Sequence, residues 1–283
     1  MKASIFYFSG TGNTWFVAKS LEESLVGMGI TSEAHSIEED ELKDLDKLLL
    51  KIADSDHIIL GYPIYGSIAP KPMIEFIENL PKTYKQTKIS VFSTVALASG
   101  DGAIVYKDLL EKKGYVFHTG MEFKLSNNFN VPGFPDVLHV GDSKRIDRRN
   151  FKALKKVEKM AERILNNQPK LEGNHFVGHL LGDTQRKHVD DLLVGFNEKL
   201  YCEDSKCVNC GKCAKICPVN NINNKEKGVA FQGKCAVCMR CYHFCPTQAI
   251  NVTSDSLDNK KWPRFRGATQ SYQKDLMQMK EKI

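Results

Sequence analysis

Short apolar runs alternate with segments of helical periodicity through the first 125 residues of the chain. The runs at residues 3–8, 56–61, 88–93 and 115–125 have the length and composition of buried strands. After the first run, apolar side chains recur at the spacing of one helix face, at Trp15, Phe16, Ala18, Leu21 and Leu25. Strands that alternate with helices predict an α/β fold, a doubly wound parallel sheet with ligand loops at the carboxyl ends of its strands.

The same pattern predicts four parts for a chain of 283 residues. Residues 1–167 form the α/β domain, with a last helix at 142–167, and residues 168–200 connect it to a cysteine-rich unit through a short helix near 188–196. This unit, residues 201–253, holds every cysteine, and residues 254–283 form a basic and aromatic tail. The connecting segment contains His175, His179 and His188, which have no partner at metal-ligand spacing. We expect them to pack at the surface or between domains.

Eight of the nine cysteines form the same run twice. Each run reads C-x2-C-x2-C-x3-C-P, the spacing of bacterial ferredoxins that carry two [4Fe–4S] clusters. Three cysteines in one tight loop can bind a cubane, while the fourth reaches the other cluster. We therefore expect one cluster at Cys207, Cys210, Cys213 and Cys245, and the other at Cys235, Cys238, Cys241 and Cys217. Pro218 and Ile222 recur 28 residues later as Pro246 and Ile250, which indicates an internal duplication.

Two other uses of the cysteines fit this spacing less well. Structural zinc takes two separated ligand pairs, and disulfide frameworks belong to short secreted domains. Cys202, the ninth cysteine, is interpreted as a reduced bystander near the first cluster. Thiolates held by iron imply a reducing compartment, so we predict a cytoplasmic protein from an anaerobe. No apolar stretch approaches the ~18 residues that a membrane span requires.

The net charge of +6 is divided unevenly along the chain. Residues 1–150 hold 17 basic and 20 acidic side chains, whereas residues 200–283 hold 14 and 7. Iron–sulfur clusters held by thiolates are anionic, so the basic excess is interpreted as their counter-charge, and nucleic acid is not needed to explain it. The uneven charge favours docking of the two halves on each other or of an acidic protein partner near the clusters.

The loop after the first strand has the character of a phosphate site. It reads Ser9, Gly10, Thr11, Gly12, Asn13 and Thr14, and it points backbone N–H groups and hydroxyls at one spot over a helix N-terminus. A loop without lysine is not a P-loop for nucleoside triphosphates. Trp15 stands where a dinucleotide fingerprint needs its third glycine, so a phosphate monoester is favoured over NAD.

This loop resembles that of the flavodoxins, whose pattern [T/S]-x-T-G-x-T it matches at every position. The resemblance implies a flavodoxin-like strand order 2-1-3-4-5 and bound FMN, held by the phosphate loop and the loops after the third and fourth strands. The residues implied in those two loops are Pro63, Ile64, Tyr65, Gly66, Thr94, Val95, Ala96, Leu97, Ser99 and Gly100. The second of these loops lacks an aromatic residue, so Trp15 or Phe129 could take its place against the flavin, or one flavin face could stay open.

The whole chain resembles the flavodoxin–ferredoxin fusions classed as EFR1-family ferredoxins. The residues that carry this resemblance are YFSGTGNT at 7–14, the two cysteine runs and the aromatic and basic stretch at 262–266. It implies an α/β flavodoxin-like domain followed by a small α+β bacterial ferredoxin domain with two clusters. The tail after this domain is predicted to strap the two domains together or to dock a partner.

The predicted function is electron transfer between FMN, which accepts two electrons, and clusters that accept one each, with a redox protein as partner. No general acid or nucleophile is expected. The alternative is an FMN-dependent oxidoreductase that uses NAD(P)H or a small acceptor, with the clusters as a relay. A third class, a scaffold with structural clusters, leaves the phosphate loop unexplained.

Overall fold

A six-stranded parallel sheet forms the centre of the N-terminal half. The structure is a computed structural model, and it describes residues 1–132, 143–265 and 271–281. The strand order β2-β1-β3-β4-β5-β6 confirms the predicted flavodoxin-like sheet. The strands are β1 (Lys2–Tyr7), β2 (Thr31–Ser36), β3 (His57–Pro63), β4 (Lys88–Val95), β5 (Val116–Lys124) and β6 (Lys170–Leu171). The last of them adds a sixth strand to the predicted five, and with two residues it is too short to produce a periodic pattern.

Helices cover both faces of this sheet, as a doubly wound fold requires. The helices are α1 (Asn13–Gly27), α2 (Asp40–Lys43), α3 (Leu45–Ala53), α4 (Lys71–Asn79), α5 (Lys107–Lys112) and α6 (Ser143–Leu165). Apolar residues of α1 and α6 form one core with the sheet, and those of α3, α4 and α5 form a second core on the other face. Residue 142, the predicted start of the last helix, lies outside the described residues.

The connecting segment contains two helices where the sequence predicts one. The predicted helix corresponds to α8 (Val189–Lys199), and it is preceded by α7 (Phe176–Arg186). Gly178 and Gly182 lie within α7, and glycine is a poor helix former, which is why the residue pattern does not reveal this helix. Both glycines are needed for close packing, since a Cβ on Gly182 would lie 1.9 Å from an Asp101 carboxylate oxygen.

The C-terminal half is a small α+β unit around its own core. Its strands β7 (Tyr201–Cys202) and β10 (Ile250–Asn251) pair antiparallel, as do β8 (Ile222–Asn224) and β9 (Val229–Phe231). Two short helices, α9 (Lys212–Lys215) and α10 (Arg240–Phe244), begin between the second and third cysteines of the two runs. Ile222 and Ile250 are buried in a cluster against which most of the repeated cysteines pack.

The described part of the tail packs on both halves. Trp262 and Phe265 are buried beside the cysteine unit, and the final helix α11 (Ser271–Glu281) places Tyr272 and Leu276 in the sheet core next to Trp15. Of the two roles predicted for the tail, this packing corresponds to the one in which it straps the two domains together. Residue 266 lies outside the described ranges. Within those ranges no helix combines the length and apolar character needed to cross a bilayer, and the cytoplasmic location stays a prediction.

Gly61 offers a test of the packing at the centre of the sheet. A Cβ there would lie 2.1 Å from the Phe92 ring, whereas a Cβ on Gly27, the exposed last residue of α1, meets nothing within 4 Å. Gly61→Ala should lower the free energy of unfolding by about 1–3 kcal/mol through overpacking. Gly27→Ala should raise it by about 0.4–1 kcal/mol. Urea unfolding of the intact chain measures both, and equal unfolding midpoints for the two variants would contradict this packing.

Candidate functional site

The phosphate-type loop joins β1 to α1 and is held rigidly. Gly12, the residue before α1, has φ of 113°, a left-handed conformation that favours glycine, and it caps the helix without a side-chain hydrogen bond. The Asn13 amide donates to the Ser126 carbonyl at 2.8 Å, and the Thr14 hydroxyl lies 2.9 Å from that of Thr94. The N-terminus of α1 is therefore left available for an anion.

A cavity of about 480 Å³ opens beside this loop. Most of the predicted flavin-site residues line it, namely Ser9, Gly10, Thr11, Asn13, Thr14, Pro63, Ile64, Tyr65, Gly66, Thr94, Val95, Ala96 and Leu97. These residues come from the carboxyl ends of β1, β3 and β4, as expected for neighbouring parallel strands.

Three predicted residues lie outside the cavity lining. Gly12 donates its N–H to the Ser9 hydroxyl and shapes the loop from within. The Ser99 hydroxyl donates to Glu122 at 2.6 Å. A Cβ on Gly100 would lie 2.3 Å from the Gly178 carbonyl oxygen. Ser99 and Gly100 thus support the packing around α7 and do not face the cavity.

Several residues that line the cavity were not predicted from the sequence. They are Ala98, Ser126, Asn127, Asn128, Gln185, His188, Val189, Leu192, Leu193 and Val237. The two earlier loops were implied by the resemblance to flavodoxins; the segment 126–128 follows β5, so the general rule that ligands bind at the carboxyl ends of parallel strands could have found it. The residues of α7, α8 and the second cysteine run come from distant parts of the chain, and only the folded structure brings them here.

The aromatic side chains separate into two groups. Tyr65 lines the cavity, and its buried hydroxyl oxygen has no hydrogen-bond partner among the described residues; burial raises its pKa well above the usual value. Phe129 lines the cavity as well. Trp15 does not, because its indole N–H donates to Asp275 on the other side of the loop. Tyr62 does not line the cavity either: it is buried, and its hydroxyl donates to the Gly102 carbonyl.

Helices α7 and α8 cover one side of the cavity. The Arg186 guanidinium donates two hydrogen bonds to the Asp101 carboxylate, at 2.6 and 3.1 Å. His179 Nδ1 lies 3.0 Å from the same carboxylate. Burial alone would raise the pKa of Asp101, but hydrogen bonds from Arg186 and His179 lower it below the ordinary value. At the far end of α8, the Asn197 side chain accepts the Cys235 N–H at 2.8 Å. The two helices therefore join the sheet to the second cysteine run.

The two cysteine runs repeat each other in backbone conformation. Left-handed φ angles occur at Asn209 and Val237, at Gly211 and Met239, and at Asn220 and Gln248, each pair 28 residues apart. The N–H of Asn221 donates to the Cys217 sulfur at 3.2 Å, and that of Ala249 donates to the Cys245 sulfur at 3.2 Å. Val237 is β-branched, and a left-handed conformation strains such a residue. The duplication seen in the sequence is therefore a duplication of structure.

The causes of the cysteine pKa shifts indicate which cysteine sulfurs lie close to one another. The pKa of Cys213 is raised to about 11, by burial first and then by the neighbouring thiols of Cys245, Cys210 and Cys207. Burial raises the pKa of Cys241 well above its usual value, and the neighbouring thiols of Cys235, Cys238, Cys217 and Cys213 raise it as well. Cys245 is therefore a neighbour of the first run's cysteines (the first set) and Cys217 of the second run's (the second set), while Cys213 also neighbours Cys241. Which sulfurs share a cluster stays a prediction.

Cys202 and the three histidines of the connecting segment lie at separate positions, and the place of His188 was not predicted. Burial first and then the neighbouring Cys207 thiol raise the pKa of Cys202 to about 12, so Cys202 borders the first set. His175 caps α7, His179 bonds Asp101, and His188 lines the cavity. In the part of the chain that the structure describes, no three His, Cys, Asp or Glu side chains converge on the position of a single metal ion.

The second cysteine run forms part of the cavity wall. Val237 lines the cavity, and a Cβ on Gly10 would lie only 2.7 Å from the Cys238 carbonyl oxygen. Cys238 is buried in the same apolar cluster as Phe6 and Phe8 of the sheet domain. The first set lies at the surface, where Cys210 is exposed and Val208 is 62% exposed.

Comparison with known proteins gives matches in both halves. A model described as a 4Fe-4S binding domain matches residues 203–223, which contain the whole first cysteine run. A flavodoxin from Megasphaera elsdenii is 29% identical over 112 residues, which are 39% of this chain and 77% of that protein.

Solved structures also match the N-terminal half. Oxidised flavodoxin 2 from Bacillus cereus is 20% identical over 59% of this chain and 99% of its own, with a TM-score of 0.41. Rubredoxin oxygen:oxidoreductase from Desulfovibrio gigas is 16% identical over 58% of this chain and 37% of its own, with a TM-score of 0.38. The strand order itself, and not these similarities, defines the fold. The chain combines a flavodoxin-like domain with a ferredoxin-type 4Fe-4S domain, the composition of an electron-transfer protein.

Asp101 provides a test of the cover over the cavity. Asp101→Asn should speed amide exchange in α7 about tenfold, because charge-assisted hydrogen bonds contribute more than neutral ones. Asp183→Asn, on the exposed side of Arg186, is the matched control and should change exchange little. The pKa of Asp101 is lowered in the fold, so its contribution is complete above the ordinary carboxyl pKa of 3.8 and is lost as the pH falls through the folded value. Hydrogen exchange between pH 3 and pH 6 measures both effects. Equal exchange in the two variants would contradict the role of Asp101 in holding α7 in place.

Proposed function

We propose that this chain is an electron-transfer iron–sulfur flavoprotein that holds FMN and two [4Fe–4S] clusters and exchanges electrons with a redox protein partner. One observation carries the proposal. The cavity beside the phosphate-type loop has the second cysteine run in its wall, with Val237 lining it and Cys238 against Gly10. A flavin in this cavity and a cluster on that run would be neighbours, as electron transfer requires.

The residues of the cavity fit FMN. The uncapped N-terminus of α1, together with the Thr11 and Thr14 hydroxyls, offers neutral donors to a phosphate monoester. The orphaned Tyr65 hydroxyl supplies a buried polar atom that has no partner within the described residues. We propose that residues 9–14 hold the phosphate and that Tyr65 and Phe129 contact the ring, with Pro63, Ile64, Gly66 and residues 94–97 completing the walls.

The cysteines fit two cubanes with crossed ligands. We propose Cys207, Cys210, Cys213 and Cys245 for the first cluster, and Cys235, Cys238, Cys241 and Cys217 for the second. The repeated backbone conformation supports equal roles for the two runs, and the N–H donors on Cys217 and Cys245 are of the kind that stabilises cluster sulfurs. In this proposal Cys202 does not bind either cluster.

The positions of the sites imply an order. FMN supplies two-electron chemistry when bound, and clusters supply one-electron steps. The second cysteine set adjoins the cavity, while the first set reaches the surface beside Val208 and the exposed Lys206, Lys225 and Lys227. We therefore propose that the partner docks at the first set and that its docking surface is acidic. Assignment to the EFR1 family and the boundaries 1–167, 168–200, 201–253 and 254–283 belong to this proposal.

The deciding experiment is anaerobic. The chain reconstituted with iron, sulfide and FMN should bind one FMN and about eight irons, and reduced ferredoxin should bleach its flavin and cluster absorbance. If NADH or NADPH bleached it as fast, the protein would be an oxidoreductase instead of a carrier. A chain that bound no FMN would refute the proposal.

The crossed ligand sets give a matched pair of variants. Cys245→Ser should lose the first cluster and Cys217→Ser the second, so each should retain about four irons. Only Cys217→Ser should change the fluorescence of bound FMN, since the second set adjoins the cavity and the first does not. Iron analysis, cluster EPR and flavin fluorescence measure these effects. A flavin change confined to Cys245→Ser would overturn the crossing or the order of sites.

The partner surface is tested by salt. Exposed charges on the two proteins attract over a Debye length of about 8–10 Å, so the rate of reduction by an acidic ferredoxin should fall steeply between roughly 20 and 300 mM salt. Lys225→Gln with Lys227→Gln should weaken this salt dependence. Lys82→Gln, on the sheet domain far along the chain from the cysteine runs, is the control. A rate that is indifferent to salt would contradict an acidic partner.

A further inference from the structure

Arg240 is a buried arginine that joins the second cysteine run to the phosphate-type loop. It lies between Cys238 and Cys241 at the start of α10 and is 1% exposed. Its Nε donates to the Gly10 carbonyl at 3.1 Å and its Nη2 donates to the Ser9 carbonyl at 2.6 Å. One side chain from the cysteine unit therefore holds two successive carbonyl groups of the loop.

These two bonds orient the opposite side of the loop. In a planar trans peptide the amide N–H points away from the carbonyl of the same peptide unit. With the Ser9 and Gly10 carbonyls turned toward Arg240, the N–H groups of Gly10 and Thr11 turn the other way. Tyr272 of the tail donates its hydroxyl to the same two carbonyls, at 2.5 and 3.2 Å. The loop is thus supported from behind and presented to the cavity.

The role of Arg240 is geometric and not one of net charge. Its guanidinium pairs with Glu38, which is itself buried, through Nη1 at 2.9 Å and through a second bond from Nη2. The carboxylate cancels the positive charge next to the loop. The same Nη1 also donates to the Ile216 carbonyl at 3.1 Å, next to Cys217. Arg240 therefore contacts both segments that supply the second cluster's ligands.

The repeat provides a built-in comparison for this residue. The position 28 residues earlier, in the first cysteine run, is Lys212. Lys212 lies over the Phe244 ring and contacts Gln273, on the side of the final helix. The two halves of the duplication have thus diverged at a position where the second run touches the phosphate-type loop.

We propose that Arg240 is a positioning residue that makes FMN binding and assembly of the second cluster depend on each other. This inference rests on the proposed function. A cysteine run folded around its cluster places Arg240 and the Cys238 carbonyl against residues 9–10, and that sets the phosphate donors. A cluster-free run loses this support. Coupling between two sites is reciprocal, so bound FMN must protect the second cluster to the same extent.

The first test compares Arg240→Met with Lys212→Met. Arg240→Met should raise the Kd for FMN about tenfold or more and leave the Kd for riboflavin, which lacks the phosphate, nearly unchanged. Lys212→Met should change neither. Fluorescence titration gives both constants, and iron analysis confirms that each variant retains its clusters. A folded Arg240→Met protein with an unchanged ratio of the two constants overturns the proposal.

A second test needs no variant and covers the case in which Arg240→Met does not fold. Iron release to a chelator is followed in the native chain with FMN, with riboflavin and with no flavin. FMN should slow the release of the iron held by the second cluster severalfold, and riboflavin should not. Equal rates in all three conditions overturn the coupling. A native chain that binds no FMN or no iron refutes the proposed function itself, which is a different result.

Discussion

The buried ion pair between Arg240 and Glu38 is the interaction on which the arrangement of this molecule depends. Burying a charged side chain costs several kcal/mol unless a well-placed partner and further hydrogen bonds offset that cost. Here each charge comes from a different half of the chain, and the remaining guanidinium donors are satisfied by the Ser9, Gly10 and Ile216 carbonyls. Neither half can bury its own member of the pair without the other. The two halves are therefore docked in one relative position.

That docking turns two separate binding elements into one site. The phosphate-type loop alone would lie at the edge of an ordinary flavodoxin-like sheet, and the second cysteine run alone would form one end of a small ferredoxin-type unit. In contact, they share a wall at Gly10, Cys238 and Val237, and α8 closes the side between them. The strained left-handed Val237 lies in this wall, which fits the general concentration of backbone strain at functional positions.

The parts of the site that follow from local chemistry were predictable. A Gly/Ser/Thr loop between a strand and a helix predicts an anion site, and the cysteine spacing predicts which sulfurs share a cube. Ser99 and Gly100 were implied by the resemblance to flavodoxins, yet the Ser99 hydroxyl bonds Glu122 and Gly100 packs closely against α7. Helix α7 was missed because Gly178 and Gly182 weaken its pattern, although those glycines allow it to pack closely.

The alternation of strands and helices, the phosphate-type loop and the repeated cysteine runs could all be recognised in the amino-acid sequence, because each depends on residues close together in the chain or on an exact repeat. The folded chain was needed to learn which cysteine set adjoins the cavity, which aromatic side chains face it, and that Arg240 and Tyr272 hold the loop from behind. The bonds of these two residues to Gly10 span 230 and 262 positions of the chain. Such contacts depend on the shape complementarity of two folded surfaces, which a local pattern of polar and apolar residues does not determine.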